Sequence, residues 1–324
     1  MEKKIILCRP NGFCAGVERA IKIVDLALDV YGAPIYVNHE IVHNRFVVQM
    51  LARKGAVFVD DLEEVPPGSR LIYSAHGVSP EVRAKAKSRR LRELDATCPL
   101  VTKVHMEAVR FARKGYHIFL IGHANHVEVV GTHGEVPESI TIVEPHSGPQ
   151  LRQQIAQLPK PPGEKLIYLT QTTLNVDDCM AVVALLRERF PTLEGPPNDD
   201  ICYATTNRQH AVKAIAADLD FFVVVGSPTS SNSKRLVEVA RESGCPAQLF
   251  ENAEALKQKS LRDIQRIGIT AGASTPDVLV QEIIAYLQTR GFPQAETYHH
   301  VAENIHFTLP YEFRLDLEKN GIPV

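Results

Sequence analysis

The chain has 324 residues, 36 Lys+Arg against 38 Asp+Glu, and a formal charge of −2; at ~100–200 residues per domain this is room for two or three domains with a substantial core. So balanced a charge excludes a dedicated phosphate-backbone binder, and no nucleic-acid partner is expected. No apolar run approaches the ~18–20 residues that span a bilayer, and Ile5-Ile6-Leu7 is too short for a secretory signal, so no membrane association is expected. Cysteines at 8, 14, 98, 179, 202 and 245, with no C-x-x-C pair, are too thinly spread for a disulfide scaffold and point to a reducing, cytoplasmic setting.

In chain order, the first strand pattern carries Cys8 and leads into Gly12-Phe13-Cys14-Ala15-Gly16-Val17, where a cysteine opens a helical pattern. The same event recurs at Ala96-Thr97-Cys98-Pro99-Leu100-Val101 and at Cys202-Tyr203-Ala204-Thr205-Thr206-Asn207-Arg208. After each helix comes an apolar run, Ile35-Tyr36-Val37, His117–Ile121 or Phe221–Val225, and Asn38, Gly122 and Gly226 each lie 24 residues after their cysteine. A second short apolar run follows in each unit: Leu71-Ile72-Tyr73, Leu166–Thr170 and Ile267–Ala271. Each ends in a small polar loop, and Ser79, Asn175 and Thr275 stand where helix caps are expected. Strands alternating with helices across long crossovers predict parallel sheets. The expected fold is therefore α/β: three pseudo-symmetric small α/β domains. Their expected bounds are 1–97, with the tail 288–324 packing back on it, then 98–198 and 199–287. Cys8, Cys179 and Cys245 have no place in the repeat and read as core or incidental residues.

Functional groups of α/β sheets gather at loops leaving the carboxyl ends of strands. If the three units face one another, Cys14, Cys98 and Cys202 converge; three thiolates suit an iron–sulfur cluster with one iron left open, and zinc would accept the same ligands. His43, His126 and Ser230 lie 29, 28 and 28 residues after their cysteines. With His76, Thr172 and Ser274 they form a set of hydroxyl and imidazole groups at helix N-termini, suited to a phosphate or diphosphate. No G-x-G-x-x-G and no G-x-x-x-x-G-K-[ST] occurs. Glu128, two residues after His126, is a carboxylate able to deliver a proton beside an open metal.

The stretches Phe13–Val17, His76-Gly77, Ala96–Val101, Gln171-Thr172-Thr173, Cys202–Gln209 and Ser230-Ser231-Asn232-Ser233 are similar to the signatures of the 4-hydroxy-3-methylbut-2-enyl diphosphate reductase family, the last step of the methylerythritol phosphate route to isoprenoids. The resemblance runs from Cys14 to at least Pro276. It implies a [4Fe-4S] cluster at the centre of the three domains, held by Cys14, Cys98 and Cys202, and a substrate diphosphate bound by His43, His76, His126, Ser230, Ser231, Asn232 and Ser274. It puts Thr172 and Glu128 beside the reacting hydroxyl. The implied reaction is reductive dehydroxylation to isopentenyl and dimethylallyl diphosphates, fed by a flavodoxin or ferredoxin. A redox-neutral iron–sulfur dehydratase and a non-enzymatic iron–sulfur sensor are the alternatives. Val127 stands where the family usually has proline, which is expected to loosen the loop carrying Glu128.

Overall fold

The computed structural model describes residues 3–146 and 148–322. It contains β1 (Lys4–Arg9), α1 (Ala15–Tyr31), β2 (Ile35–Asn38), α2 (Arg45–Lys54), β3 (Ala56–Val59), β4 (Arg70–Tyr73), α3 (Pro80–Ser88), β5 (Arg92–Asp95) and α4 (Pro99–Arg113). Next come β6 (His117–Ile121), α5 (Val127–Glu135), β7 (Ile140–Val143), α6 (Gly148–Gln157), β8 (Leu166–Thr170), α7 (Val176–Arg189), β9 (Leu193–Glu194) and α8 (Tyr203–Ala216). The rest is β10 (Phe221–Val225), α9 (Ser231–Glu242), β11 (Ala247–Phe250), α10 (Ala253–Lys257), β12 (Arg266–Ala271), α11 (Asp277–Thr289), β13 (Glu296–His299) and α12 (Tyr311–Lys319).

Among the described residues every strand pairing is parallel, in three sheets: β3-β2-β4-β5, β7-β6-β8-β9 and β11-β10-β12-β1-β13. The α/β class with three sheets is thus as expected. One strand is not where the expected bounds put it. β1 falls inside 1–97, yet it pairs with β12 from Lys4↔Arg266 to Leu7↔Ile269 and with β13 on its other side. Its alternation explains the choice: Ile5 and Leu7 face one core while Cys8 faces another, so β1 needs covering on both sides, as in a parallel sheet. The tail divides similarly. β13 extends that sheet, and α12 buries Phe313 and Leu317 and accepts a 2.6 Å hydrogen bond from Tyr31 of α1 on Asp316.

The chain forms two compact units. One comprises Met1–Val17, His43–Val47 and Tyr203–His306 and is built on the five-stranded sheet. Alternate residues of β10 feed its two faces: Phe221, Val223 and Val225 pack with Val280, Ile283 and Leu287 of α11, while Phe222 and Val224 pack with Val212 of α8 and Leu236 of α9. The other unit comprises Glu18–Val42, Val48–Cys202 and Phe307–Val324 and holds both four-stranded sheets. There Phe119 and Ile121 of β6 meet Val182 and Leu186 of α7, and Ile118 and Leu120 meet Val104, Ala108 and Phe111 of α4. Two of the three expected caps are present: the Ser79 hydroxyl accepts from Val82 N at 3.4 Å and Asn175 Oδ1 from Asp177 N at 2.9 Å. At the third, Thr275 donates instead to the Val225 carbonyl at 3.1 Å, and α11 starts after Pro276 without a side-chain cap.

Candidate functional site

In the unit holding the four-stranded sheets, the loops after β6 and β8 meet over one carboxylate. His126 caps α5 and its Nδ1 accepts the Glu128 amide at 3.2 Å, so the ring proton sits on Nε2. Glu128, 2% exposed, accepts from Thr172 N at 2.6 Å and from Thr172 Oγ1 at 2.9 Å. Burial pushes its pKa up to about 7; the two Thr172 hydrogen bonds oppose that shift, and the nearby Asp200 charge adds to it. A carboxyl that is half protonated near neutral pH is suited to proton transfer. Val127 opens α5 with Glu128 held at both oxygens, so the missing proline does not leave the carboxylate unanchored.

The other expected residues of this unit connect to the same place. The His76 and His126 rings lie edge to face with centroids 6.2 Å apart, and Ser74 Oγ is 3.2 Å from His76 Nδ1. Cys202 N donates to the Thr172 carbonyl at 3.0 Å, and Cys98 N donates to Ala75, beside His76, at 2.9 Å. Two groups outside the sequence expectations support this arrangement. Asp200 is buried, accepting from Thr170 N at 3.1 Å and from Lys103 Nζ at 2.9 Å; burial raises its pKa against the pull of Lys103. His105 Nδ1 lies 2.9 Å from Glu135 Oε1, and its ring packs beneath Gly77, whose φ of +78° brings the backbone against the imidazole. The sequence signal for Asp200 was its place two residues before Cys202; His105 had none.

The unit built on the five-stranded sheet gathers the remainder. Ser230 caps α9, its Oγ accepting from Ser233 N at 3.2 Å. Asn232 Oδ1 accepts from Ala273 N at 3.0 Å and its amide donates to Thr205 Oγ1 at 3.3 Å. Ser274 Oγ donates to the His43 carbonyl at 2.9 Å. Ser231 opens α9 between these buried polar groups. Cys14 joins them through its amide, which donates to the Ala273 carbonyl at 3.2 Å. Close by, fully buried Arg208 spans the Gly12 carbonyl at 2.8 Å and the Glu303 carboxylate at 3.1 Å. Arg208 lies within the Cys202–Gln209 stretch, where nothing in the sequence alone marks it for this role.

The cysteines divide by environment. Cys14, Cys98 and Cys202 are half-buried, each directly before a helix. Cys8, Cys179 and Cys245 are buried in apolar cores, where desolvation pushes the first two to about 12 and the third to about 11. Burial also raises the Cys14 thiol, but Arg208 and the amides of Gly16 and Val17 pull towards the thiolate. Among the described residues no three His, Cys, Asp or Glu side chains are placed to hold a single metal ion. A four-iron cube takes each cysteine on a different iron, so its ligands need not converge on one point. Three cysteines each placed directly before a helix fit that group.

The chain is also similar to characterised proteins. A 4-hydroxy-3-methylbut-2-enyl diphosphate reductase from Rhodopirellula baltica is 52% identical over 311 residues, covering 96% of each chain. The solved E-1-hydroxy-2-methyl-but-2-enyl-4-diphosphate reductase of Plasmodium falciparum superposes with a TM-score of 0.92 at 41% identity, over 99% of this chain and 100% of that one. A second solved reductase, described as the terminal enzyme of the non-mevalonate pathway, gives 0.61 at 30% identity, over 89% and 99%. No helix among the described residues is long and apolar enough to cross a membrane. The LytB protein family matches residues 5–288, which takes in every strand of all three sheets but the edge strand β13, and the chain belongs to that family.

Proposed function

We infer that this chain reduces 4-hydroxy-3-methylbut-2-enyl diphosphate, breaking the allylic C–O bond to give isopentenyl and dimethylallyl diphosphates and water. The balance is one C–O bond broken and one C–H bond formed, with two electrons and two protons consumed. The observation that carries the reading is the buried Glu128–Thr172 pair, a carboxyl held near neutral pKa at 2.6 and 2.9 Å from one threonine. Glu128 gives its proton to the departing hydroxyl oxygen, and Thr172 Oγ1 orients both the carboxyl and that oxygen. His43, His76, His126, Ser230, Ser231, Asn232 and Ser274 bind the diphosphate. His126 Nε2–H and the α9 N-terminus at Ser230–Asn232 supply donors to the anion. Anchored there, the substrate has its hydroxyl positioned for proton transfer. A second proton, added at either end of the allylic carbons, decides between the two products.

Cys14, Cys98 and Cys202 would hold a [4Fe-4S] cluster; bound there, it supplies single electrons and an open iron that polarises the hydroxyl. The electrons would come from a carrier of flavodoxin or ferredoxin type. Six cysteines spread thinly along the chain, with no C-x-x-C pair, support work in a reducing cytoplasm.

The test is anaerobic, on iron-loaded protein. Reduced viologen should be oxidised only when 4-hydroxy-3-methylbut-2-enyl diphosphate is added, with C5 diphosphates as products. Substrate consumption without viologen oxidation would establish a redox-neutral dehydratase instead, and no response to the substrate would leave a sensor.

A further inference from the structure

The outer face of α4 forms a cleft of about 1090 Å³ that the reaction chemistry above does not use. One face of this helix is committed to the core: Val101, Val104, Ala108 and Phe111 are buried. The opposite face, with Thr102, Met106, Arg110 and Arg113, is exposed, and Met106 is 67% accessible. A large bare methionine on a helix otherwise well packed is a soft contact, suited to partners that bind and leave.

The charge around this face is one-sided. Arg19, Arg83, Lys103, Arg110, Arg113 and Lys114 line the cleft against Asp95, Glu107 and Glu135, a surplus of three positive charges on a chain whose net charge is −2. Local pairs absorb some of it: Arg83 meets Asp95 at 2.8 Å, Arg110 meets Glu107 at 3.4 Å, and Lys103 meets Asp200 at 2.9 Å. Arg113 and Lys114 have no ion pair among the described residues. Both are exposed, about two helical turns beyond Met106.

The cleft also reaches the two neighbours of Cys98. Thr97 and Pro99 line it, flanking Cys98 on both sides. Arg19 bridges the cleft wall to that turn, donating to the Thr97 carbonyl at 2.9 Å. Met106 lies eight residues, about 12 Å along the helix, from Cys98. A protein seated on Met106 therefore stands one helix from a ligand assigned to the electron-storing group.

We propose that the α4 cleft is the docking surface of an acidic one-electron carrier protein, with Met106 at the centre of contact and Arg110, Arg113 and Lys114 steering it. The inference rests on the reductase reading, because it is that reaction which needs two electrons delivered singly. Each turnover then oxidises two carrier molecules, one per visit. A small apolar centre with a cationic rim fits the short-lived, small interfaces of redox partners, in which charge governs encounter more than residence.

The test uses full-length, iron-loaded enzyme, the variants Met106→Glu and Arg113→Glu/Lys114→Glu, and an acidic plant-type [2Fe-2S] ferredoxin as probe. Binding of oxidised ferredoxin, measured without turnover, should weaken at least ten-fold in both variants, and the double variant should lose most of the salt dependence of binding. Viologen-driven turnover should stay within two-fold of the unaltered enzyme, since viologen needs no docking surface. Unchanged ferredoxin affinity in both variants would overturn the proposal. So would a sedimentation shift showing that Met106→Glu disrupts a dimer, because the cleft would then belong to a second copy of the chain. Failure of the unaltered enzyme to turn over with viologen defeats the reductase reading separately, while ferredoxin binding still reports on the surface.

Discussion

Replacing Glu128 by Gln removes a titration and little else, because the amide keeps the carboxyl's shape and can still accept from Thr172 N. Burial raises the Glu128 pKa from an ordinary 4.5 to about 7. At ~1.36 kcal/mol for each pH unit of displacement, the folded protein gives up ~3 kcal/mol when this group must ionise. The sign follows from the raised folded value. The stability contribution is fully present below the unfolded pKa, where both states are protonated, and it is lost as pH rises towards about 7. Urea unfolding of wild type and Glu128→Gln should therefore nearly coincide around pH 4.5, with the variant gaining ~3 kcal/mol by about pH 8. The same substitution removes the proton donor, so turnover with reduced viologen should fall by ~10²–10⁴ while iron content and substrate affinity hold. In the wild type, kcat/KM should decline on the alkaline side with an apparent pKa near 7. A variant that keeps full turnover, or a stability difference that does not widen with pH, refutes the assigned role of this carboxyl.

Thr172→Val removes the 2.9 Å hydroxyl bond but keeps the backbone donor; since that bond lowers the Glu128 pKa, the alkaline limb of a pH–rate profile should move upward. Asp200→Asn acts in reverse, because the Asp200 charge raises Glu128, and the limb should move to lower pH. Cys202→Ser should reduce iron and sulfide bound per chain after anaerobic reconstitution, and undiminished iron would move the ligand assignment elsewhere. Gly77→Ala combines a φ of +78° with a new methyl 3.0 Å from His105 Nε2. It should cost ~1–3 kcal/mol in urea unfolding and raise KM for the diphosphate through displacement of His76; an unchanged KM would separate this turn from substrate binding.

Much of the placement of the candidate residues was legible because they sit at repeated distances from repeated events. His126 and Thr172 follow strands that pair directly, β6 and β8, and Ser230 and Ser274 follow the equivalent pair, β10 and β12. Spacing alone thus put them at neighbouring carboxyl ends. What spacing could not convey is which polar groups burial would couple. Asp200 and Lys103 are 97 positions apart yet bond at 2.9 Å, and Arg208 finds Glu303 only because the tail returns along β1. Thr275 shows the limit for caps: a good capping residue whose hydroxyl has a better buried acceptor, Val225 O, is diverted from its helix.

The strand that disobeyed the expected domain bounds is also the one that makes the repeat whole. In the four-stranded sheets the order is second, first, third, fourth: β3-β2-β4-β5 and β7-β6-β8-β9. The third sheet reads β11-β10-β12-β1, the same order with β1 as its fourth strand. Each candidate ligand then follows a fourth strand: Cys98 after β5, Cys202 after β9 and Cys14 after β1. The repeat therefore closes on itself, its last unit completed by the first strand of the chain, and three cysteines far apart in sequence hold one topological position. The consequence for folding is concrete. The sheet carrying Ser230, Asn232 and Ser274 cannot complete its hydrogen bonds until the two ends of the chain have met, whereas each four-stranded sheet is built from contiguous residues. Contacts of the largest sequence separation form slowest, so in refolding monitored by hydrogen exchange, amides of β6 and β8 should gain protection before those of β1 and β12. Protection of β1 preceding β6 would contradict that order.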